Sequence, residues 1–216
     1  MASINSDPKV LTNKEKVYET LKQRIINGVY SPGRQIRIFE VAKELGLSQT
    51  PVREALIQLS AEDLIDFEPY KGAVVKGLSK DEVREIFIIR VILECSALKY
   101  AIGNMKEEDF ETAFNILMKG KEIDDPAVIS EINWEFHTYL YNQSGLPRLC
   151  GMINSFRSQV DRYLRIYYSF SNVKDFIKPH LEILEACKAK DTEKATNLLE
   201  ENIYASLDVI LKFLAL

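Results

Sequence analysis

The first third of the chain carries three short helical patterns of apolar residues, separated by turn signals. Apolar side chains recur three or four residues apart, as on one face of an α-helix, over residues 14–27, 38–45 and 49–63. Gly46 supplies the sharp turn expected between two crossing helices. Two β-prone runs follow, Leu64–Phe67 and Ala73–Val75, on either side of a turn with Gly72 at its tip. Three helices and a hairpin predict a winged helix-turn-helix over residues 11–77.

Beyond this segment the apolar spacing is helical throughout. Ser79 and Glu82 form a capping-box motif, which predicts the start of a long helix to about residue 102. Five further helices are predicted at residues 106–121, 127–143, 146–168, 174–190 and 192–214. Six helices without strands predict an all-α six-helix bundle over residues 78–216. The fold class is therefore mainly α, a winged helix-turn-helix followed by this bundle.

Three residues bear on where these bundle helices begin. Asn104 and Asp191 are N-terminal signals for the second and the last of them. Pro179 falls inside the fifth predicted helix, where it would either kink the helix or mark its true start near His180. The sequence leaves these two interpretations open.

The composition is that of a soluble globular protein, with 46% hydrophobic and 28% charged residues and few Gly or Pro. No apolar run is long enough to cross a bilayer, and residues 1–10 lack the apolar core of a signal peptide. We therefore expect a cytoplasmic protein with no membrane association and a disordered N-terminus at residues 1–10. The net charge of −4 argues against indiscriminate nucleic-acid binding. The three widely spaced Cys predict buried free thiols.

The third predicted helix has an outward polar face at its amino end. Its buried side is predicted to consist of Val52, Ala55, Leu56 and Leu59. Ser48 can cap the helix, and Pro51 sits in the first turn, where its missing N–H costs little. Gln49 and Arg53 lie one turn apart, so both point outward and can bond to base edges or phosphates. This pattern predicts a helix that enters a DNA groove.

The order of these parts is familiar from one family. The segments that carry the likeness are Tyr30–Gly33, Val41–Ser48, Thr50–Leu56 and Lys71–Gly72. They resemble the N-terminal domain of GntR-type bacterial transcription regulators. The helical remainder, with Arg90, Glu94, Phe136–His137 and His180, resembles the effector-binding FCD domain of the FadR branch. The resemblance covers roughly residues 10–214, and six helices after the linker suggest the VanR-like subgroup.

The resemblance implies that the recognition helix enters the major groove, while the wing tip reaches the neighbouring minor groove or backbone. The candidate DNA-binding residues are Arg34, Ser48, Gln49, Thr50, Pro51, Arg53, Lys71 and Gly72. The family usually places Arg where this chain has Gln49. Arg prefers guanine and Gln prefers adenine, so the operator preference is expected to differ from the family norm.

The resemblance also implies an effector site in the helical part. Many FCD domains bind a divalent metal through an Asp, a His one turn later and two further His. The matching positions here are Asn133, His137, His180 and Asn202. Amides in place of a carboxylate and an imidazole weaken a site for zinc or nickel. A metal site, a metal-free polar pocket and an inert remnant therefore remain as alternatives.

Charged residues complete the candidate effector site. Arg90 and Glu94 lie in the very apolar first bundle helix, either facing a ligand or forming a structural ion pair. Arg157, Arg162 and Arg165 can offer positive charge to an anionic effector, although surface salt bridges are the favoured role for most of them. The apolar first bundle helix is buried by its own bundle, by a partner subunit, or by both.

The sequence as a whole predicts a ligand-responsive transcription regulator. We expect a homodimer that binds a palindromic operator in double-stranded DNA, because two-fold proteins read two half-sites. A small molecule, expected to be an organic acid, would change operator affinity; whether the protein is a repressor or an activator stays open. Walker, G-x-S-x-G and HExxH motifs are missing, which argues against an enzyme. A third alternative is an architectural DNA-binding protein with a solid bundle.

Overall fold

The computed structural model describes residues 11–68, 70–170 and 173–214. The chain divides into two compact units, of which the first ends at Gly77 and the second begins at Leu78. The N-terminus that was expected to be disordered, and Pro69 of the predicted wing turn, lie outside the described residues. The elements of the first unit are α1 (Asn13–Ile26), β1 (Gln35–Ile36), α2 (Ile38–Leu45), α3 (Gln49–Ala61), β2 (Ile65–Glu68) and β3 (Gly72–Val75).

The three helices of the first unit form because their apolar faces meet in one core. Leu21 and Ile25 of α1 pack in the same buried cluster as Val52 and Leu56 of α3. Gly46 ends α2 in the left-handed conformation, with φ of 64°, which glycine adopts without a steric cost. The chain can therefore turn sharply into α3, as the sequence predicted.

The predicted hairpin forms, but the sheet has one more strand. Within the described residues it is antiparallel with the order β1-β3-β2. Phe67 of β2 faces Ala73 of β3, and Gln35 of β1 faces Val74 of β3. The additional strand β1 has only two residues, too few to leave an alternating pattern in the sequence. The wing is thus held on both sides of β3.

The second unit is built from six helices in the described residues, as predicted. They are α4 (Lys80–Asn104), α5 (Glu107–Met118), α6 (Pro126–Asn142), α7 (Pro147–Phe170), α8 (Val173–Lys188) and α9 (Thr192–Phe213). The capping box of Ser79 and Glu82 is present at the start of α4, and Asp191 caps α9 by accepting the Lys194 N–H at 3.1 Å. These two helix starts are confirmed.

Two details of the helix assignments differ from the sequence expectation. Asn104 does not start α5; it is the last residue of α4, and α5 is capped by Asp109, which accepts the Lys106 backbone N–H at 2.8 Å. Pro179 does not start a helix, because α8 begins at Val173 and Pro179 lies inside it. Its missing N–H removes one intrahelical hydrogen bond just before His180.

The first bundle helix, α4, is buried on one side and exposed on the other. It packs against α9, α7 and α6, and Phe87 and Leu98 are fully buried in the bundle core. Ile88 and Ile92, one turn apart, are 51% and 60% exposed. Its own bundle therefore explains only part of the apolar surface of α4. Among the described helices, none is apolar enough over a sufficient length to cross a membrane.

Candidate functional site

The amino end of α3 presents a polar face to solvent. Its apolar side is buried as predicted, through Val52, Ala55, Leu56 and Leu59. The side chains on the opposite face, Ser48, Gln49, Thr50 and Arg53, are exposed, and Pro51 is half-buried in the first turn. The predicted outward direction of the recognition-helix residues is therefore present in the structure.

This face is free to bind an external partner. The side chains of Gln49 and Arg53 make no hydrogen bond or ion pair with any other residue that the structure describes. Ser48 occupies the N-cap position, but its side chain does not bond to the helix amides, contrary to the capping role expected for it. The exposed N–H groups at this helix end, together with the helix dipole, favour a phosphate.

The wing and Arg34 are less free than α3. Lys71 is exposed at the wing tip and pairs with Glu68 at 2.6 Å, and its carbonyl oxygen accepts a hydrogen bond from the Gln35 amide. Arg34 donates to the Val29 carbonyl at 3.2 Å, and its guanidinium lies over Tyr30. To bind a DNA phosphate, Lys71 would have to leave Glu68, and Arg34 would have to leave the Val29 carbonyl.

Sequence reasoning missed one residue of the wing tip. Tyr70 is fully exposed between the strands β2 and β3, with φ of 65°. Its aromatic ring adds an apolar surface to the wing tip, beside the charged side chain of Lys71. Tyr70 could have been predicted from the sequence, because it directly precedes the Lys71-Gly72 pair.

The second unit encloses a cavity of about 30 Å³ where α6, α8 and α9 meet α4 and α7. Its polar lining includes all four candidate positions that the sequence matched to a metal site, and Arg90 in addition. The lining residues are Arg90, Asn133, His137, Arg157, Leu164, Tyr167, Phe176, His180, Asn202, Ile203 and Ser206. The structure thus brings together residues from five helices, with Glu94 behind Arg90.

The two imidazoles face each other across this cavity. Nε2 of His137 lies 3.1 Å from Nε2 of His180, and the Asn133 amide nitrogen lies 2.7 Å from the same atom of His180. Asn202 also interacts with His137 through its side chain. The i, i+4 spacing of Asn133 and His137 on α6 places both on the inner face.

The neighbours of the two rings limit where their protons lie. Nδ1 of His180 lies 2.6 Å from the Phe176 carbonyl, which can only accept, so this nitrogen is protonated. Tyr141 donates its hydroxyl proton to Glu94 at 2.6 Å and lies 3.2 Å from Nδ1 of His137. With its proton on Glu94, the Tyr141 oxygen can accept from Nδ1 of His137, and the lone pair on Nε2 of His180 can accept from Nε2 of His137. A neutral His137 ring makes one of these two bonds, whereas His180 presents a lone pair on its Nε2.

Arg90 and Glu94 form a buried ion pair that supports this arrangement. Nε of Arg90 donates to Glu94 at 2.7 Å, and the two residues are only 4% and 1% exposed. The other Glu94 oxygen accepts from Tyr141, which links the pair to His137. Of the two roles open from the sequence, the structure shows the ion pair, with Arg90 also lining the cavity.

Arg157 is buried, contrary to the surface role favoured for it. It is 4% exposed, bonds to Asp161 at 3.2 Å and to the Ser130 hydroxyl at 3.3 Å, and lies over the Trp134 ring. Arg165, by contrast, forms a salt bridge with the exposed Glu131. The sequence could not distinguish Arg157 from Arg165, because both carry the same charge and the packing of α7 against α6 decides which of them is buried.

Both imidazoles are neutral in the folded protein. Burial lowers the pKa of His180 from 6.5 to about 4. Burial, the neighbouring His180 and the charges of Arg157 and Arg90 lower the pKa of His137 well below its usual range, against an opposing hydrogen bond with Asn202. Positive charge is thus disfavoured inside the cavity.

This predicts a pH dependence of stability. The unfolded chain binds protons on its histidines near pH 6.5, but the folded chain does not bind one on His180 until about pH 4. The free energy of unfolding should therefore fall as the pH drops from 6.5 towards 4, by up to about 1.4 kcal/mol per pH unit for His180, and the lowered pKa of His137 acts in the same direction. Urea unfolding at several pH values measures this. The His180→Asn variant should lose less stability over the range; an unchanged slope would contradict the assignment.

The residues of the cavity do not fit a resident divalent metal. Among the described residues, no group of three or more His, Cys, Asp or Glu is placed to hold a metal ion. The imidazoles of His137 and His180 are the only strong metal ligands among the described residues of the lining. The remaining oxygens are neutral amides, which bind zinc or nickel poorly. The metal prediction gains no support from this donor set.

Comparisons with known proteins agree with this arrangement of parts. The family model for bacterial regulatory proteins of the gntR family matches residues 13–75, and that of the FCD domain matches residues 85–205. The chain is 29% identical over 202 residues to the HTH-type transcriptional regulator McbR of Escherichia coli (strain K12), covering 90% of this chain and 91% of McbR.

Two further likenesses extend over nearly the whole chain. The HTH-type transcriptional repressor GlaR of Escherichia coli (strain K12) is 27% identical over 211 residues, covering 92% of this chain and 96% of GlaR. The solved structure of E. coli McbR/YncC has a TM-score of 0.77 and 26% sequence identity, covering 94% of this chain and 99% of that chain. These relatives are transcription regulators rather than enzymes, so the enzyme alternative is excluded.

Proposed function

Since the chain belongs to the gntR family of bacterial regulatory proteins and carries an FCD domain, we propose that it binds a palindromic operator as a homodimer and that a small molecule in the helical domain changes its operator affinity. It is a DNA-binding transcription regulator. As such, it is expected to act in the cytoplasm, where the bacterial chromosome lies. Its relatives include transcriptional repressors, and we propose that this protein is also a repressor.

The observation that carries the proposal is the exposed face of α3. Gln49 and Arg53 project from a helix whose other side is fixed in the core by Val52 and Leu56. A rigid helix with free polar tips meets the geometric requirement for reading base edges in the major groove. Gln49 is expected to favour an adenine at the position it contacts.

The homodimer proposal rests on α4. Ile88 and Ile92 leave an apolar stripe on its outer side, although the opposite side of α4 is fully packed. A second copy of the chain is the occupant we propose, because a two-fold regulator needs a self-complementary surface and a single copy reads one half-site. The stripe lies on the second unit, whereas α3 belongs to the first.

The effector proposal rests on the cavity. An architectural protein that senses nothing would have a solid bundle, whereas the second unit encloses polar space between five of its helices. Two buried imidazoles, two amides and two arginines around that space are costly unless they serve a ligand or each other. This favours a responsive regulator over the architectural alternative.

Charged substitutions on the α4 stripe test the dimer and the operator symmetry together. The double variant Ile88→Asp, Ile92→Asp should be monomeric in light scattering, because four carboxylates would face each other across a two-fold interface. In a selection from random duplexes, the wild type should enrich inverted repeats and the variant should not.

The matched control is the double variant Val29→Asp, Phe39→Asp, which places the same two charges on exposed apolar residues of the first unit. It should leave the dimer intact. A dimeric double variant would contradict the interface. Enrichment of a single half-site by the wild type would contradict the palindromic operator.

A further inference from the structure

The cavity of the second unit is already satisfied without a cation. Nε2 of His180 accepts a hydrogen bond from the Asn133 amide at 2.7 Å. Asn202 also forms a side-chain hydrogen bond with His137. Both imidazoles thus already have an amide partner at the place where a metal ion would bind.

The charges around the cavity also disfavour a cation. Two carboxylates are bound by arginines of the lining: Glu94 is paired with Arg90, and Asp161 with Arg157. A divalent ion would bring two positive charges, and among the described residues that line the cavity there is no Asp or Glu to balance them.

Both arginines keep unused hydrogen-bond donors. Nη1 of Arg90 and Nε of Arg157 are buried and have no hydrogen-bond partner among the described residues. A buried guanidinium N–H without an acceptor is costly, and a carboxylate is the acceptor whose planar shape matches the guanidinium fork. Since both residues line the same cavity, one ligand can serve both.

We propose that this cavity is a carboxylate site that works without a divalent metal. A carboxylate group accepts hydrogen bonds from Arg90 and Arg157, while Asn133 and Asn202 contact the two imidazoles. The cavity volume of about 30 Å³ suits a group as small as a carboxylate. A six-membered ring is too large for it, because a cavity that binds benzene measures roughly 150 Å³. This departs from the metal-bound arrangement that the resemblance implies.

Binding of a carboxylate in the cavity does not depend on the proposed function. The role of that carboxylate as the effector does, because it requires that the protein is a ligand-responsive regulator. Arg90 lies on α4 between Ile88 and Ile92, so a ligand on Arg90 contacts the helix that carries the proposed dimer stripe. Occupancy of the cavity can therefore bias the position of α4.

Titration of the metal-stripped wild-type protein tests the site. After EDTA treatment, sodium acetate should give saturable binding in calorimetry and a saturable rise in Tm. Acetamide, the neutral isostere, should give neither, and sodium chloride controls for ionic strength. For a ligand of four non-hydrogen atoms the Kd is expected to be no tighter than roughly tens of micromolar. Zinc and nickel should show no saturable binding to the cavity.

Two variants sharpen the result. Arg157→Gln should raise the Kd for acetate at least about tenfold, as expected for the loss of a charge-assisted hydrogen bond, and Arg148→Gln on the exposed side of α7 should not. The double variant Asn133→Asp, Asn202→His should gain nickel binding. If Arg157→Gln fails to fold, the comparison of acetate with acetamide on the wild type decides alone.

The proposal is overturned if acetate binds only after a divalent metal is restored, if stoichiometric zinc or nickel accompanies the purified protein, or if acetate and acetamide behave alike. Operator binding is measured separately on the same preparation. Intact operator binding without acetate binding would remove the carboxylate site and leave the DNA-binding function in place. Acetate binding that leaves operator affinity unchanged would support the site and remove its role as effector site.

Discussion

Replacing Arg53 by alanine is expected to weaken operator binding by about 1–3 kcal/mol, roughly 5- to 150-fold, without unfolding the protein. The guanidinium is exposed on the polar face of α3 and has no protein partner in the described part of the chain. Its removal therefore costs no internal contact, and the whole effect should appear in DNA binding. Fluorescence anisotropy with an operator duplex measures the affinity, and thermal unfolding verifies the fold.

The same titration distinguishes two roles for Arg53. If it contacts a phosphate, Arg53→Ala should weaken binding to all sequences alike and reduce the salt dependence by about one ion. If it reads a guanine, the loss should be confined to operators with that base. Arg148→Ala, which removes an equally exposed charge from α7, is the matched control and should bind like the wild type. Unchanged affinity of Arg53→Ala would refute the assignment of α3.

Local signals in the sequence were sufficient for most of the helices. Ser79 with Glu82, Asp191 and Gly46 each act through a backbone contact within a few residues, so their effect is readable without tertiary structure. The prediction that Asn104 starts α5 was wrong. Asn is a favourable capping residue by type, but α5 is capped by Asp109, which accepts the backbone N–H of Lys106. The strand β1 depends on β3, more than thirty residues away, and leaves no local pattern.

The cavity was only partly predictable, because some of its residues are placed by local helix spacing and others by packing between distant helices. Asn133 and His137 share a helix face by their spacing, so their inward direction followed from the sequence. Tyr141 continues that spacing by one turn and was overlooked, although its hydroxyl lies 3.2 Å from Nδ1 of His137. The burial of Arg157 was not predictable, because a charged residue on α7 is placed inside only by the helices that cover it.

Removing Glu94 is expected to have the largest effect on stability. Glu94→Ala should lower the free energy of unfolding by about 3–5 kcal/mol, since it leaves the 4% exposed Arg90 as an uncompensated buried charge. Tyr141→Phe removes only one hydrogen bond to the same carboxylate and should cost about 1 kcal/mol. Urea unfolding measures both variants, provided the slope with denaturant is unchanged.

A double replacement separates the ion pair from the packing around it. Arg90→Met with Glu94→Leu removes both charges while filling a similar volume, so most of the stability lost in Glu94→Ala should return. It should also abolish acetate binding, because the cavity loses the guanidinium of Arg90. A double variant as unstable as Glu94→Ala would show that the loss comes from packing. One that still binds acetate as tightly as the wild type would remove Arg90 from the carboxylate site.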